Sequence, residues 1–148
     1  MLAKIKVRRR GFTLIELLVV IVVIAVLALI CIPKFTDAGR RSKESSMRSD
    51  LSQLRSAVAT YQTDTGAYPT TLADLIATAA PAAGLNPAGG GNLPITASDW
   101  HGPYLTGIVP TDPVANAAFN YGTAGPNLGK VSSTAAGNGL DGNPYSGY

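Results

Sequence analysis

The chain has 148 residues, of which 46% are hydrophobic, and its single cysteine excludes an intramolecular disulfide. Five of its basic residues precede Gly11, whereas the rest of the chain carries seven basic and nine acidic residues and lacks the basic, aromatic-rich surface of a nucleic-acid-binding domain. The cysteine, Cys31, lies in the longest apolar stretch, where we expect a small residue facing lipid or a neighbouring helix.

A basic leader at residues 1–11 precedes an apolar stretch at residues 12–32. The stretch has 21 residues, enough to cross ~30 Å of hydrocarbon as a helix. The charges before it predict a cytoplasmic N-terminus, and they belong to Lys4, Lys6, Arg8, Arg9 and Arg10. A secretory signal has its small residue after the apolar core, whereas here Gly11 comes first, so a cut after Gly11 would leave the helix in the mature protein.

Glu16 is the one charged residue in the apolar stretch. A carboxylate in hydrocarbon costs several kcal/mol unless it is paired, so its presence indicates a function. It either lies near the membrane interface, snorkelling or protonated, or pairs with a cation. A cut after Gly11 would supply that cation, because the new amine at Phe12 lies four residues before Glu16. The pair would form within one subunit or between neighbours.

Residues 10–17 (RGFTLIEL) resemble the processing motif of type IV pilins and of type II secretion pseudopilins. The resemblance implies that a membrane-embedded prepilin peptidase of the aspartic class cleaves between Gly11 and Phe12 and that the Phe12 amine is then methylated. It also implies that Glu16 attracts the Phe12 amine of the adjacent subunit during assembly. The family has a proline near Pro33, where its helix bends or melts in the filament. A plain helix stop at Pro33 is the alternative.

The pattern changes from wholly apolar to amphipathic at residues 34–65. An apolar stripe at helical spacing predicts one buried face, formed by Met47, Leu51, Leu54, Val58 and Tyr61. The charged residues are assigned to the other faces, as solvated groups or loose salt bridges. Gly66 is suited to the end of this helix.

The C-terminal region predicts short elements joined by turns. Thr70 or Thr71 can cap a short helix that ends near Ile76, and the Gly-rich residues 88–92 predict a loop without strands or a phosphate-binding motif. Phe119 and Tyr121 alternate with polar residues, which predicts a half-buried strand. Val131 is its expected partner across the turn at residues 125–127.

The same region is similar to the major pseudopilin of type II secretion. The similarity lies in a Tyr-Pro turn at residues 68–69, Gly-Pro-Tyr-Leu at residues 102–105, an Asp-Pro turn at residues 112–113 and the aromatic strand that follows. The family's C-terminal loop is acidic and binds calcium. Here only Asp141, with Asn143 and backbone carbonyls, remains for such a site, which would be weak at best because calcium takes six to eight oxygen ligands.

No catalytic constellation surrounds His101, the only histidine, so no enzyme is indicated. We expect an α+β pilin fold in which a long N-terminal helix packs on a small antiparallel sheet. Its parts are a cleaved leader (residues 1–11), a membrane and filament-core helix (residues 12–33), its amphipathic continuation (residues 34–65) and a small globular region (residues 66–148).

The predicted function is a filament subunit, most simply a pseudopilin of type II secretion. The expected partners are copies of itself, the prepilin peptidase, an inner-membrane assembly platform with its motor and the lipid bilayer. No cofactor is expected beyond the weak calcium site. A pilin of a surface fibre for adhesion, motility or DNA uptake is one alternative. A membrane-anchored binding module that never polymerises is another, although it would not need Glu16.

Overall fold

The structure, a computed structural model, describes residues 11–148 but not the side chains of residues 32–36. The basic leader before Gly11 therefore lies outside the described residues. The chain divides into two compact units, the first ending at Gly39 and the second beginning at Arg40. Helix α1, Leu14–Thr65, contributes to both. It continues past Pro33, so the alternative of a helix stop at that residue is wrong.

In the first unit the helix is apolar on every face. Its segment Leu14–Cys31 is long and apolar enough to cross a membrane, by length and composition. The large apolar side chains of this segment are exposed, and Cys31 is a free thiol. This surface is left for lipid or for another protein to cover.

In the second unit, α1 forms one side of the hydrophobic core. The predicted stripe is confirmed, because its residues, from Met47 to Tyr61, are buried. They pack with side chains from later in the chain, namely Leu75, Phe119, Val131 and Tyr145. The helix ends at Thr65, and Gly66, at φ +70°, takes the left-handed conformation that favours glycine at this position.

A 3₁₀ helix, Leu72–Ile76, follows and confirms the predicted short helix. The carboxylate of Asp74 accepts hydrogen bonds from the backbone N–H groups of Thr70 (2.7 Å) and Thr71 (3.0 Å). The carbonyl of Leu75 then accepts from the backbone N–H groups of Tyr104 and Leu105 at 2.8 and 2.9 Å. These bonds place the Gly-Pro-Tyr-Leu segment over the core, where the Tyr104 ring lies 5.4 Å from that of Tyr61.

Within residues 11–148 the strands are short and form three antiparallel two-stranded sheets, where the sequence predicted one small sheet. The pairs are β1 (Ala83–Leu85) with β2 (Asn92–Pro94), β3 (Thr111–Asp112) with β4 (Ala117–Ala118), and β5 (Asn120–Tyr121) with β6 (Val131–Ser132). Two further 3₁₀ turns cover Gly125–Asn127 and Tyr145–Gly147. The α+β pilin fold class is confirmed.

The β5–β6 pair confirms the predicted strand at Tyr121 and its partner at Val131, but Phe119, expected in the same strand, lies between β4 and β5. The β1–β2 hairpin was not predicted, and the expectation of no strand at residues 88–92 was wrong at Asn92, the first residue of β2. This hairpin is held by backbone pairing, including two bonds between Tyr68 and Leu85 of 2.9 and 2.7 Å. It has no alternating apolar pattern for the sequence to reveal.

Asp112 is a buried carboxylate that ties the strand region together. It accepts hydrogen bonds from the backbone N–H groups of Val114 (2.8 Å), Ala115 (3.1 Å) and Thr134 (3.2 Å) and from the Ser133 hydroxyl. Burial acts to raise the pKa of Asp112, but the bonds donated by Ser133 and the three backbone groups outweigh it and lower the pKa. The Asp112 carboxylate thus joins β3 to Ser133 and Thr134, which follow β6.

Leu54→Ala tests the core along α1. Because Leu54 is 0% exposed, we expect the free energy of unfolding to fall by about 2–5 kcal/mol. Denaturant unfolding of the full chain in detergent micelles, followed by near-ultraviolet circular dichroism, measures the change. Ser52→Ala, at an exposed position of the same helix, should leave the unfolding free energy unchanged. Equal effects of the two substitutions would contradict the assigned core.

Candidate assembly site and C-terminal contacts

A capping box begins α1. The backbone N–H and the hydroxyl of Thr13 both donate to Glu16 Oε2 at 3.0 Å, and the backbone N–H of Glu16 donates to the Thr13 hydroxyl at 3.3 Å. These reciprocal bonds satisfy donors that a helix start otherwise leaves unpaired. Gly11 and Phe12 consequently lie before the helix, and both are exposed. The peptide bond predicted to be cleaved is therefore accessible and non-helical.

The Glu16 carboxylate lies in an apolar setting. It lines an open groove on the helix surface together with Phe12, Ile15, Val19 and Val20. Thr13 supplies its hydrogen bonds but no positive charge, because threonine is neutral. The geometry thus brings Phe12 and Glu16 to the same groove and leaves the negative charge of Glu16 without a counter-charge among the described residues of this unit. Pro33, the third predicted assembly residue, is one of those whose side chains are not described.

In the second unit, a second acidic residue of α1 binds the C-terminal segment. Glu44 is only 3% exposed, so its assignment to a solvated face was wrong. Its Oε1 atom accepts a 2.6 Å hydrogen bond from the Tyr145 hydroxyl and a 3.1 Å bond from the Leu140 backbone N–H, and it lies 3.3 Å from Arg40 Nε. The Tyr145 hydroxyl is the main cause of a pKa below the ordinary value for Glu44.

The sequence contained a signal for this burial. Glu44 lies three residues before Met47 and seven before Leu51, which is the spacing of the apolar stripe itself. Its charge led to the wrong assignment, because an ionised side chain is seldom buried without partners. The partners come from about a hundred residues further along the chain and could not be foreseen.

Arg48, one turn further along α1, contacts the loop that was considered for calcium. Its Nη2 atom donates to Asp141 Oδ2 at 3.0 Å and to the Tyr148 hydroxyl at 2.9 Å. The guanidinium carbon lies 4.8 Å from the centre of the Tyr148 ring. The backbone N–H of Asn143 donates to Asp141 Oδ1 at 3.1 Å. Asp141 and Asn143 are therefore brought together, as predicted, but with a guanidinium beside them.

Within residues 11–148, no three or more His, Cys, Asp or Glu side chains form a group that could hold a metal ion. His101 has one acidic neighbour, Asp64, at 3.6 Å, and its side chain is mostly exposed. This pair has neither a nucleophile nor a third group to orient it.

Two models of known protein families match this chain, one at its N-terminal end and one over most of the rest. Residues 6–32 match the prokaryotic N-terminal methylation motif, and residues 34–146 match the model of type II secretion system (T2SS) protein G. The chain belongs to the type II secretion system protein G family. The predicted membership of the pilin and pseudopilin group is thereby confirmed.

Curated relatives bear the same family name. A type II secretion system core protein G of Klebsiella pneumoniae is 41% identical over 64 residues, which is 43% of this chain and 46% of the relative. A core protein G of Aeromonas hydrophila is 34% identical over 104 residues, covering 67% of this chain and 73% of the relative. The type IV major pilin protein PilA of Myxococcus xanthus is 39% identical over 61 residues, 41% of this chain and 28% of PilA.

The chain spans less than half the length of the first protein G relatives it matches. No solved structure matches it significantly. Its membership of the protein G family therefore comes mainly from the family model, which covers residues 34–146 and so all of the second unit except its last two residues.

The Glu44 contact should make the stability of the second unit depend on pH. Its folded-state pKa lies below the ordinary 4.5, so its stabilising effect is present above that pH and disappears as the pH falls through the folded-state value. Glu44→Gln should therefore lower the melting temperature at neutral pH, and its difference from the wild type should shrink in acid. Asp37→Asn, an exposed carboxylate of the same helix, is the control. A pH-independent difference for Glu44→Gln would contradict the ionised contact.

Proposed function

We propose that this member of the protein G family is a structural subunit that polymerises into the pseudopilus of a type II secretion system. The observation that carries the proposal is the first half of α1. Its segment Leu14–Cys31 exposes apolar side chains all round and begins beside a single acid, Glu16. Such a surface suits lipid before assembly and identical helices after it.

Maturation begins at the exposed start of α1. In the proposed sequence of events, a prepilin peptidase cuts between Gly11 and Phe12, and the new Phe12 amine is methylated. Three observations support these steps: the bond precedes the capped helix, Phe12 is 77% exposed, and residues 6–32 match the methylation motif. The five cationic residues of the leader keep that end in the cytoplasm, so the second unit lies on the far side of the inner membrane.

Assembly is then governed by charge in an apolar setting. Moving a subunit from the lipid bilayer into the helical core of a filament gains little from the hydrophobic effect, because lipid and neighbouring helices are both apolar. An unpaired carboxylate is costly in either place. Pairing of Glu16 with the Phe12 amine of a neighbouring subunit removes that cost in the filament alone and sets the register between subunits. Pro33 is the point where the helix adjusts to its neighbours.

The work of extracting the subunit from the membrane comes from other proteins. We assign this to an inner-membrane assembly platform and its motor. The protein itself is not an enzyme in this proposal, and its second unit, with six basic and seven acidic residues, has no excess of positive charge for a nucleic acid. The finished filament lies in the periplasm.

A subunit of a surface type IV pilus is the second candidate, favoured by the similarity to PilA of Myxococcus xanthus. That similarity covers 41% of this chain, whereas the protein G model extends over the second unit to residue 146. Deletion of the gene separates the two: loss of secretion without loss of long surface fibres supports the pseudopilus, and the reverse supports the pilus.

The mass of the mature chain tests the maturation steps. Protein purified from its native membrane should begin at Phe12 and carry one extra methyl group. Gly11→Leu should block processing, because a bulky side chain would replace the small residue at the bond. Ala3→Leu, elsewhere in the leader, should be processed normally. A wild-type chain that keeps residues 1–11 would contradict the proposal.

Substitution of Glu16 tests assembly. Glu16→Ala removes the capping box and the charge, whereas Glu16→Gln keeps a hydrogen-bond acceptor and removes the charge alone. We expect both variants to be processed but to form at least ~10-fold less filament. Either substitution leaves the Phe12 amine of the neighbouring subunit without a partner, and an unpaired buried charge costs about 3–5 kcal/mol. Sedimentation of sheared filaments measures the yield. Normal assembly of Glu16→Gln would show that Glu16 acts through helix capping and not through its charge.

A further inference from the structure

The C-terminal segment after residue 136 is a compact turn that lies against α1. Its backbone is closed by hydrogen bonds from Gly139 N–H to Asn143 O (2.8 Å) and from Tyr145 N–H to Gly137 O (3.1 Å). We call residues 137–148 the C-terminal clamp. Glu44 binds one side of the clamp through Leu140 and Tyr145, and Arg48 binds the other.

The acidic residue of the clamp is already engaged. Asp141 Oδ2 accepts from Arg48 Nη2 (3.0 Å), from Asn143 Nδ2 (3.2 Å) and from the Tyr148 hydroxyl. Asp141 Oδ1 accepts from the backbone N–H of Asn143 at 3.1 Å. Both carboxylate oxygens thus face donors, and Asn143 directs its amide nitrogen, not its oxygen, toward the acid.

This donor set does not fit calcium, the ion that the family resemblance implied for the loop. Calcium takes six to eight oxygens, usually several of them carboxylates, whereas Asp141 is the only acidic side chain in residues 137–148. A calcium ion at Asp141 would also lie beside the Arg48 guanidinium and be repelled by it.

We propose that Arg48 replaces calcium as the positive charge beside Asp141, so that the C-terminal clamp, which Arg40 also contacts at Asn138 and Tyr145, folds against α1 without a metal ion. A guanidinium suits this role because its N–H groups can donate several hydrogen bonds while its plane stacks on an aromatic ring; here Nη2 alone donates to both oxygens. Arg48 makes all of these contacts, to Asp141 and to the hydroxyl and ring of Tyr148. The inference concerns the second unit alone and holds whether or not the first unit assembles as proposed above.

Hydrogen exchange of the full mature chain in detergent micelles tests this proposal. The amides of Leu140, Asn143 and Tyr145, all hydrogen-bonded in the clamp, are followed in millimolar calcium and in chelator. Calcium bound to the folded state would slow their exchange. We expect identical rates in the two buffers for the wild type. For Arg48→Gln in chelator, we expect exchange about two- to five-fold faster, the range for a partly exposed ion pair.

Two controls separate the contact from general effects of charge and folding. Lys43→Gln removes one positive charge five residues earlier on α1, from an exposed residue outside the groove that Arg48 and Asp141 line, and should leave the clamp amides unchanged. The amides of Leu51 and Leu54 report whether each variant keeps its core. Slower exchange of the wild-type clamp in calcium would overturn the proposal. Equal rates for Arg48→Gln and Lys43→Gln, with the core amides protected in both, would also overturn it.

Discussion

The apolar surface of Leu14–Cys31 is the constraint on which the rest of the protein depends. Nothing in the described part of the chain covers it, so it must be covered by lipid or by other proteins, and burial of such a surface strongly favours either partner over water. The capping box between Thr13 and Glu16 starts the helix at the same point where the leader ends. The accessible bond, the helix start and the acid thus occupy one short segment, so the processing and the assembly that we propose depend on the same few residues.

The second unit has few strands and little sheet, so its core cannot be formed by a sheet alone. Its core depends on α1, whose buried stripe receives side chains from every later part of the chain. Two buried carboxylates, Glu44 and Asp112, complete the unit by accepting hydrogen bonds from distant segments. Such groups are tolerated inside a protein because their partners compensate for lost hydration. The short strands need this support, since two-stranded sheets are marginal alone.

The matches to known families are divided between the two units of the chain. The family model covers the second unit and the methylation motif covers the start of the first. The alignment with PilA is shorter, at 61 residues. The contact of Arg48 with Asp141 lies within the stretch that the protein G model matches.

The sequence by itself determined the features that depend on local order. These are the cleavage motif, the membrane-length helix, the buried stripe, the helix end at Gly66 and the pairing of Tyr121 with Val131, because periodicity and turn residues act over a few positions. Only the tertiary structure decided the partners of Glu44 and Arg48 and the β1–β2 hairpin. Those contacts join residues far apart in the chain, or use backbone atoms that every residue shares, and neither kind leaves a pattern in the sequence.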